Sequence, residues 1–342
     1  MKKLKFVGDS YEVGSQLGVI YRENGRDLSN VVINRRTLAK QLPIYRKYFP
    51  SLITEIEGIA GGGGFDLEKL FYVLLAQDID FRRQNYSAIE ACTIFGVKTN
   101  EGLIVGRNYD WVSQARECFK VYEKRVVGRN GYIGVSDMNT YDLRHTSAKH
   151  WSFSAEDVIN DKGLFVGLTF AYNHRTGYGL GPTNIMRLIA ETCETVEQAI
   201  KVFRKVPLSM PKNFFIADKN GDMAVVEHTS KKFEVIYPNK QGVLIQTNHY
   251  IAPELAKEDT VLGDRSATTS FVRYAEVAQY VNEHFESFDI KNATQLLRRS
   301  AYVYANAHRH QTIWSLAMNM NKQRYDIYYD MASGEKNDIL TF

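Results

Sequence analysis

The chain contains 342 residues, of which 44% are hydrophobic and 24% are charged, and its net charge is +4 at pH 7. This composition excludes a fibrous or largely disordered protein, and the length suits either one large core or two domains. So small a net charge neither requires a nucleic acid nor excludes an anionic ligand, and no apolar run approaches the roughly 18 residues that span a membrane.

The first ninety or so residues carry apolar positions three or four apart, a spacing that predicts helices. One such stripe runs from Leu52 to Ile59, and we expect the glycines from Gly61 to Gly64 to end that helix, because ordering four glycines is costly. Asp66 then stands where it can cap the next helix. A phosphate-binding loop is the alternative for the glycine run, but no Gly-Lys-Ser or Gly-Lys-Thr follows it.

From Cys92 onward, short runs of β-branched and aromatic residues predict strands, with hairpin turns at residues 99–102 and 218–221. Antiparallel strands with segregated helices indicate an α+β protein in which helices cover the sheets, rather than a parallel βαβ sheet. The helical stretches that interrupt the strands are residues 185–206, 267–285 and 293–299.

Cys92 opens a predicted hairpin whose second strand ends near Arg107 and Asp110. Strand pairing would bring a thiol, a guanidinium and a carboxylate together, and such a cation lowers the pKa of a reactive thiol. The simplest alternative for Cys92 is a small buried hydrophobe. A papain-like pair with His249 or His308 as the base is another alternative, but the local papain signature is absent around Cys92.

The Cys-Thr opening, followed by Gly-Arg-Asn-x-Asp-Trp at residues 106–111, resembles the nucleophile hairpin of N-terminal nucleophile (Ntn) hydrolases of the isopenicillin N acyltransferase and choloylglycine hydrolase kind. The resemblance implies a four-layer αββα sandwich that cuts its own chain before the nucleophile. It also implies a helical pro-segment, residues 1–91, and a catalytic domain, residues 92–342. Further matches follow in order at residues 8–18, 55–60, 160–164, 213–218, 226–227, 247–249 and 312–315.

Self-cleavage between Ala91 and Cys92 has a physical purpose. Within an unbroken chain the nitrogen of Cys92 is an amide and cannot accept a proton, whereas cleavage exposes an α-amine with a pKa of about 8. That amine can serve as a base on the same residue as the thiol, without a histidine. We expect the cleaved pro-segment to remain as a small subunit.

The resemblance also implies roles for individual residues. Cys92 is the nucleophile of self-cleavage and of turnover, in which it forms a thioester. Asp110 binds the new α-ammonium, and Arg107 lies against the thiol and the carboxylate. Asn248 donates to the tetrahedral oxyanion, a contact typically worth about 3 kcal/mol of barrier. Without the resemblance, Asn248 is equally well explained as a turn residue after a strand.

Two positions depart from the pattern of the family. Thr169 stands where related enzymes usually place asparagine or tyrosine, so a second oxyanion donor and bile-salt or penicillin V substrates are in doubt. Ser270 stands where an arginine is expected. Since serine carries no charge, either Arg265 or Arg273 substitutes at the substrate site or the site is altered.

Other residue types point to fewer functions. Cys92, Cys118 and Cys193 are an odd number in a chain of this size, so we expect reduced thiols and a cytoplasmic protein. His308 and His310 lack an acidic or sulfur partner at metal-binding spacing, so we predict no metal and no cofactor. No basic stripe indicates nucleic acid and no segment indicates a membrane, while a homo-oligomer is left open.

The sequence therefore predicts a self-processing cysteine amidase or acyltransferase that acts on the linear amide bond of a small N-acyl substrate. The acyl group can end on water or on an amine, depending on whether the pocket excludes water. The alternative is a non-catalytic, uncleaved relative that binds an acyl or peptide ligand, and Ser270 is its best support.

Overall fold

The computed structural model describes residues 3–84, 91–137, 154–171, 173, 175–260, 269–305, 310–329 and 335–342. Its strands are β1 (Leu4–Gly8), β2 (Ala91–Thr99), β3 (Gly102–Val112), β4 (Lys120–Val126), β5 (Tyr132–Ser136), β6 (Asp157–Asn160), β7 (Leu164–Phe170), β8 (Lys212–Asp218), β9 (Met223–His228), β10 (Phe233–Ile236), β11 (Val243–Gln246), β12 (His310–Asn319), β13 (Arg324–Tyr329) and β14 (Lys336–Ile339). Its helices are α1 (Ser10–Glu23), α2 (Arg35–Tyr48), α3 (Pro50–Gly63), α4 (Leu67–Leu75), α5 (Gln77–Gln84), α6 (Pro182–Thr192), α7 (Val196–Lys205), α8 (Pro253–Ala256), α9 (Ser270–His284) and α10 (Ile290–Ala305).

Two sheets pack face to face and helices cover both outer faces. The larger sheet has the order β1-β4-β5-β6-β7-β8-β9-β10 and the smaller has the order β11-β2-β3-β12-β13-β14. Residues such as Phe215 and Trp314 form the core between the sheets. Helices α1 to α4, α6 and α7 bury the outer face of the larger sheet, and α9 and α10 bury that of the smaller sheet. The fold is the αββα sandwich that the resemblance implied.

Several local signals in the sequence are confirmed. The Asp66 side chain caps α4 by accepting the Lys69 backbone N–H at 2.8 Å. Both expected hairpin turns are present, with Gly102 at φ +117° and Gly221 at φ +88°. The stretch 185–206 forms two helices, while α9 and α10 occupy the last two predicted helical stretches. Among the described helices, none has both the length and the apolar character needed to cross a bilayer.

The glycine run ends its helix, as the sequence suggested, but only at its last glycine. Helix α3 continues through Gly63 and ends at Gly64, which has the left-handed φ of +69°. A Cβ on Gly62 would come within 2.2 Å of the Ser15 carbonyl oxygen in α1, so only glycine allows the two backbones to approach this closely. The close helix contact offsets the conformational entropy that glycine loses in a helix.

The sequence predicted a purely helical segment for the first 91 residues, but the structure places a strand there as well. Strand β1 lies parallel to β4 at the end of the larger sheet, and apolar residues of α1 to α4 share one core with that sheet. The strand was missed because it has only five residues and its pairing partner is more than 110 positions away, so no local pattern reports it. This N-terminal region is therefore part of the sandwich.

Candidate active site

Strands β2 and β3 form the hairpin that brings the predicted site residues together. Its register pairs Ala91 with Asp110 and Cys92 with Tyr109. Because side chains alternate across a strand, Cys92, Tyr109 and Arg107 face the core between the sheets, whereas Asp110 faces the helical layer. The hairpin thus places a cation on one side of Cys92 and a carboxylate on the other side of the same strand pair.

Arg107 is fully buried and held by several acceptors. Its Nε donates to Asp157 at 2.9 Å, and its two Nη groups donate to the carbonyls of Asn108 at 2.7 Å and Leu168 at 3.0 Å. Burial alone would lower the pKa of Arg107, but the Asp157 carboxylate and the Cys92 side chain outweigh it and raise the pKa. A permanent cation therefore lies beside the thiol, which favours its thiolate form.

Asp157, on β6, is the site residue that the sequence analysis missed. Its fully buried carboxylate accepts hydrogen bonds from Arg107 and from Trp314 Nε1, the latter at 2.6 Å. Burial raises the pKa of Asp157, although Arg107 opposes the shift. Because this ion pair joins strands of different sheets, and β6 has only four residues, no local sequence signal indicates it. The carboxylate that contacts Arg107 directly is Asp157 rather than the expected Asp110.

One carboxylate oxygen of Asp110 receives no hydrogen bond from the described residues. The Thr312 hydroxyl donates to its Oδ1 at 2.5 Å, whereas its Oδ2 is buried and receives no hydrogen bond there. Burial raises the pKa of Asp110, and the charge of Arg273 opposes that shift. Strand pairing places Asp110 opposite Ala91, at the start of β2.

Arg273, on α9, links Cys92 to Asn248. It donates through Nη1 to the Cys92 carbonyl and, at 2.9 Å, to the Thr93 hydroxyl, and through Nη2 to Asn248 Oδ1 at 2.7 Å. The same Oδ1 accepts the Cys92 backbone N–H at 2.7 Å. Asn248 Nδ2, the group that the oxyanion role requires, donates to the Phe170 carbonyl at 3.2 Å. In the unbroken chain, Asn248 thus contacts Cys92 through its acceptor.

The structure describes Ser270, where the family pattern has an arginine, and one of the two arginines that could replace that charge. Of the two candidate replacement arginines, Arg273 lies at Cys92, while Arg265 lies outside the described residues. The hydroxyl of Ser270 accepts the Asn248 backbone N–H at 2.8 Å and therefore supports that residue without supplying a charge.

Thr169 is fully buried, and its hydroxyl forms hydrogen bonds with neighbouring residues. The hydroxyl donates to the Thr247 carbonyl at 2.5 Å and accepts a hydrogen bond from Asn213 Nδ2 at 3.2 Å. Thr169 thus fixes the residue immediately before Asn248. The substrate-binding role that the sequence suggested for Thr169 stays a prediction.

His249, one candidate for a papain-like base, lies within the same loop as Asn248. Its Nδ1 is 2.8 Å from the Ser270 hydroxyl and 3.1 Å from the Thr247 hydroxyl. Burial lowers the pKa of His249 to about 4, and the charge of Arg273 contributes, so the imidazole is neutral at pH 7. His308 lies outside the described residues, which contain no group of three or more His, Cys, Asp or Glu able to hold a metal.

Comparison with known sequences identifies one family. Residues 97–333 match the sequence profile of the family described as acyl-coenzyme A:6-aminopenicillanic acid acyl-transferase. The matched segment begins within β2 and includes β3, Asp157 and the loop that carries Asn248. A search of curated proteins finds no match.

Three solved structures show the degree of similarity to known folds. Penicillin V acylase from Agrobacterium tumefaciens is 15% identical with a TM-score of 0.49, over 73% of this chain and 86% of that chain. A variant of conjugated bile acid hydrolase from Clostridium perfringens is also 15% identical with a TM-score of 0.49, over 72% and 92%. The N-acylethanolamine-hydrolyzing acid amidase ortholog of Caenorhabditis elegans is 18% identical with a TM-score of 0.47, over 67% and 93%.

Proposed function

We propose that this chain, which belongs to the acyl-coenzyme A:6-aminopenicillanic acid acyl-transferase family, is a self-processing amidase or acyltransferase whose nucleophile is Cys92. Its substrate is a small N-acyl compound with a linear amide bond. The observation that carries the proposal is the setting of Cys92, because its thiol lies beside the buried cation Arg107, and strand pairing places Asp110, which has an unsatisfied carboxylate oxygen, opposite the preceding residue Ala91. These are the groups that a thiolate and a new terminal ammonium need.

Self-cleavage begins at the peptide bond between Ala91 and Cys92. The sulfur attacks the Ala91 carbonyl carbon, the carbon–nitrogen bond breaks as a thioester forms, and the thiol proton passes to the nitrogen. Water then hydrolyses the thioester, which leaves a carboxylate on Ala91 and restores the thiol. Asp110 Oδ2 receives the new α-amino group, whose charge makes that hydrogen bond strong.

Turnover uses the two groups that Cys92 then carries. The α-amine takes the thiol proton, the sulfur attacks the substrate carbonyl, and the resulting ammonium protonates the departing amine. Asn248 Nδ2 exchanges the Phe170 carbonyl for the oxyanion of the tetrahedral intermediate. Water or an acceptor amine then attacks the thioester, with the α-amine again acting as the base.

Self-cleavage is tested by intact-mass measurement and denaturing electrophoresis of the purified chain over time. The chain of 39.2 kDa is expected to give fragments of about 10 and about 29 kDa, in proportion to residue number, and the larger should begin with cysteine. The mature protein should also hydrolyse at least one of a series of N-acyl p-nitroanilides that runs from acetyl to palmitoyl. An active preparation with an unbroken backbone at residue 91 would rule out the proposed mechanism.

A non-catalytic, uncleaved binding protein is the second candidate, because Ser270 supplies no charge where the family pattern has arginine. The contact of Arg273 with the Cys92 carbonyl weighs against this candidate, since it provides a guanidinium at the nucleophile. A chain that stays intact and hydrolyses none of the anilides, yet binds them in calorimetry, would support the binding function instead.

A buried ionic cluster supports the expectation that the cleaved pro-segment stays bound. Glu55, on α3, accepts from Lys124 Nζ at 2.9 Å and from Arg187 Nη1 at 2.8 Å, and Arg187 Nε donates to Glu191 at 2.7 Å. All four side chains are at most 9% exposed. Burial lowers the pKa of Lys124 to about 8, and the charge of Arg187 contributes. Glu55 is the one member on the pro-segment, so it joins the two proposed chains.

We expect Glu55→Gln to loosen the proposed small subunit. Removing this carboxylate leaves two buried cations with less compensation, a change that costs about 3 to 5 kcal/mol in comparable buried pairs. In native mass spectrometry, wild-type fragments should stay together, whereas the variant should release the small chain at a protein concentration at least about 100-fold higher. Glu57→Gln, at an exposed position two residues further along α3, is the control. Equal retention in both variants would contradict the prediction.

A further inference from the structure

The loop that carries Asn248, residues 247–252, is held in place by side chains. It follows β11 and contains neither helix nor strand, so its backbone groups need partners elsewhere. Gln246 Nε2 donates to the two carbonyls that flank Asn248, at 3.2 Å and 2.8 Å. The loop N–H groups of Asn248, Tyr250, Ile251 and Ala252 donate to Ser270, Asp259, Glu227 and Glu227 in that order.

Glu227, on β9, accepts two of these loop N–H groups. Its Oε1 accepts the Ile251 N–H at 2.6 Å and its Oε2 accepts the Ala252 N–H at 2.9 Å. The Gln246 side chain also hydrogen-bonds Glu227, so one carboxylate reaches both the end of the loop and the carbonyls beside Asn248. The residue is fully buried, and no ion pair to it occurs in the part of the chain that the structure describes.

We propose that Glu227 is a positioning residue whose ionised carboxylate fixes the 247–252 loop and thereby holds Asn248 against Cys92. This inference rests on the proposed function of Cys92 and deepens it. Asn248 Oδ1 accepts the Cys92 backbone N–H, so a shift of the loop changes the geometry at the peptide bond that is cut. Glu227 itself touches no reacting atom, and it acts through the backbone of Ile251 and Ala252.

The surroundings of Glu227 link this support to pH. Burial raises the pKa of Glu227 from 4.5 to about 7, and the charge of Asp259 adds to the shift, whereas its hydrogen-bond donors oppose it. Tyr274 on α9 and Glu234, the exposed cross-strand partner of Glu227 on β10, also face Glu227, and neither supplies a positive charge. A carboxylate accepts both loop N–H groups, whereas a protonated carboxyl directs one O–H at them. The loop is therefore fully supported only above about pH 7.

Stability and activity respond to this ionisation with opposite signs. Because the pKa of Glu227 is higher in the folded chain than in the unfolded chain, protonation stabilises the fold below about pH 4.5, and this contribution is lost as pH rises to about 7. Over the same interval the carboxylate forms and positions Asn248. A residue that served stability alone would not give activity that rises while its stabilising contribution falls.

The experiment compares self-cleavage rates of the full chain and Glu227→Gln from pH 5.5 to 8.5. The ratio of wild-type to variant rate cancels the titration of the thiol, so it isolates Glu227. We expect the ratio to rise from about 1 at pH 5.5 to between about 10 and 100 at pH 8.5, as expected for lost charge-assisted hydrogen bonds. Its midpoint should lie near pH 7, and a pH-independent ratio would overturn the proposal. Glu234→Gln, the exposed cross-strand neighbour, should give a ratio near 1 throughout.

Two further measurements keep the test decisive. Asp259→Asn removes the negative charge that raises the pKa of Glu227, so it should move the midpoint to lower pH, and an unchanged midpoint would count against the proposal.

Amide hydrogen exchange of peptides that cover residues 247–252 should be faster in Glu227→Gln than in wild type at pH 8. Faster exchange with no self-cleavage in wild type would show that the loop support is right and the proposed function is wrong, and unchanged exchange would refute the support itself.

Discussion

Cys92→Ala is expected to remain a single uncut chain and to lose hydrolysis of every N-acyl anilide that wild type hydrolyses. Alanine has no nucleophile, so the thioester forms neither at the Ala91 carbonyl nor at a substrate carbonyl. Loss of a nucleophile lowers kcat by a factor on the order of 10⁶ where it has been dissected in hydrolases. Intact mass after prolonged incubation and anilide release give the two readouts. The variant should fold normally, because it loses only a small buried side chain.

Cys193→Ala is the matched control for this prediction. Cys193 is also a buried thiol, but it lies at the end of α6 beside Thr192, remote in sequence from the hairpin. The Cys193→Ala chain should cleave itself and hydrolyse N-acyl anilides at wild-type rates. If Cys92→Ala cleaved normally while Cys193→Ala did not, the nucleophile would have been assigned to the wrong residue. If both variants stayed active, catalysis would not depend on either thiol.

The nucleophile hairpin was predictable because its determinants are local. Turn residues at 99–102 fix the register of β2 and β3, and that register alone decides that Ala91 lies opposite Asp110. The cap of α4 at Asp66 was predictable for the same reason, since donor and acceptor lie three residues apart. Features that depend on neighbours in sequence were thus recoverable from the sequence.

The partners of the site were not predictable because they come from distant elements. Asp157 reaches Arg107 across the two sheets. Arg273 reaches Cys92 from α9, 181 residues further along the chain, and the sequence named it only as one of two candidate arginines without its contact to Cys92. The glycines of α3 had the same limitation, because the α1 backbone against them explains why they remain helical. Sequence spacing identifies which groups carry charge, whereas packing decides which of them meet.

Arg107→Met is expected to impair both folding stability and catalysis, for separable reasons. The substitution leaves the Asp157 carboxylate buried, with the Trp314 N–H as its remaining hydrogen-bond donor among the described residues, and uncompensated buried charges cost about 3 to 5 kcal/mol. It also removes the cation beside the Cys92 thiol, so less thiolate is present at neutral pH. Urea unfolding and the self-cleavage rate measure the two effects.

The pH dependence of the stability loss follows from the buried carboxyl. Without Arg107 to oppose burial, the pKa of Asp157 should rise further, and the carboxyl is then neutral at low pH. Since a raised folded-state pKa stabilises the protonated form, the deficit of Arg107→Met should be smallest below about pH 4, the range of an ordinary Asp, and should grow as pH rises to the folded-state pKa. A deficit independent of pH would show that the ion pair is not its cause.

The double variant Arg107→Met/Asp157→Asn separates the two effects. Asparagine removes the uncompensated charge and can still accept the Trp314 N–H, so most of the lost unfolding free energy should return. Self-cleavage should remain as slow as in the single variant, because the double variant still lacks a cation beside Cys92. Recovery of both stability and rate would mean that Arg107 serves only to neutralise Asp157, and that the thiol reacts without help from its charge.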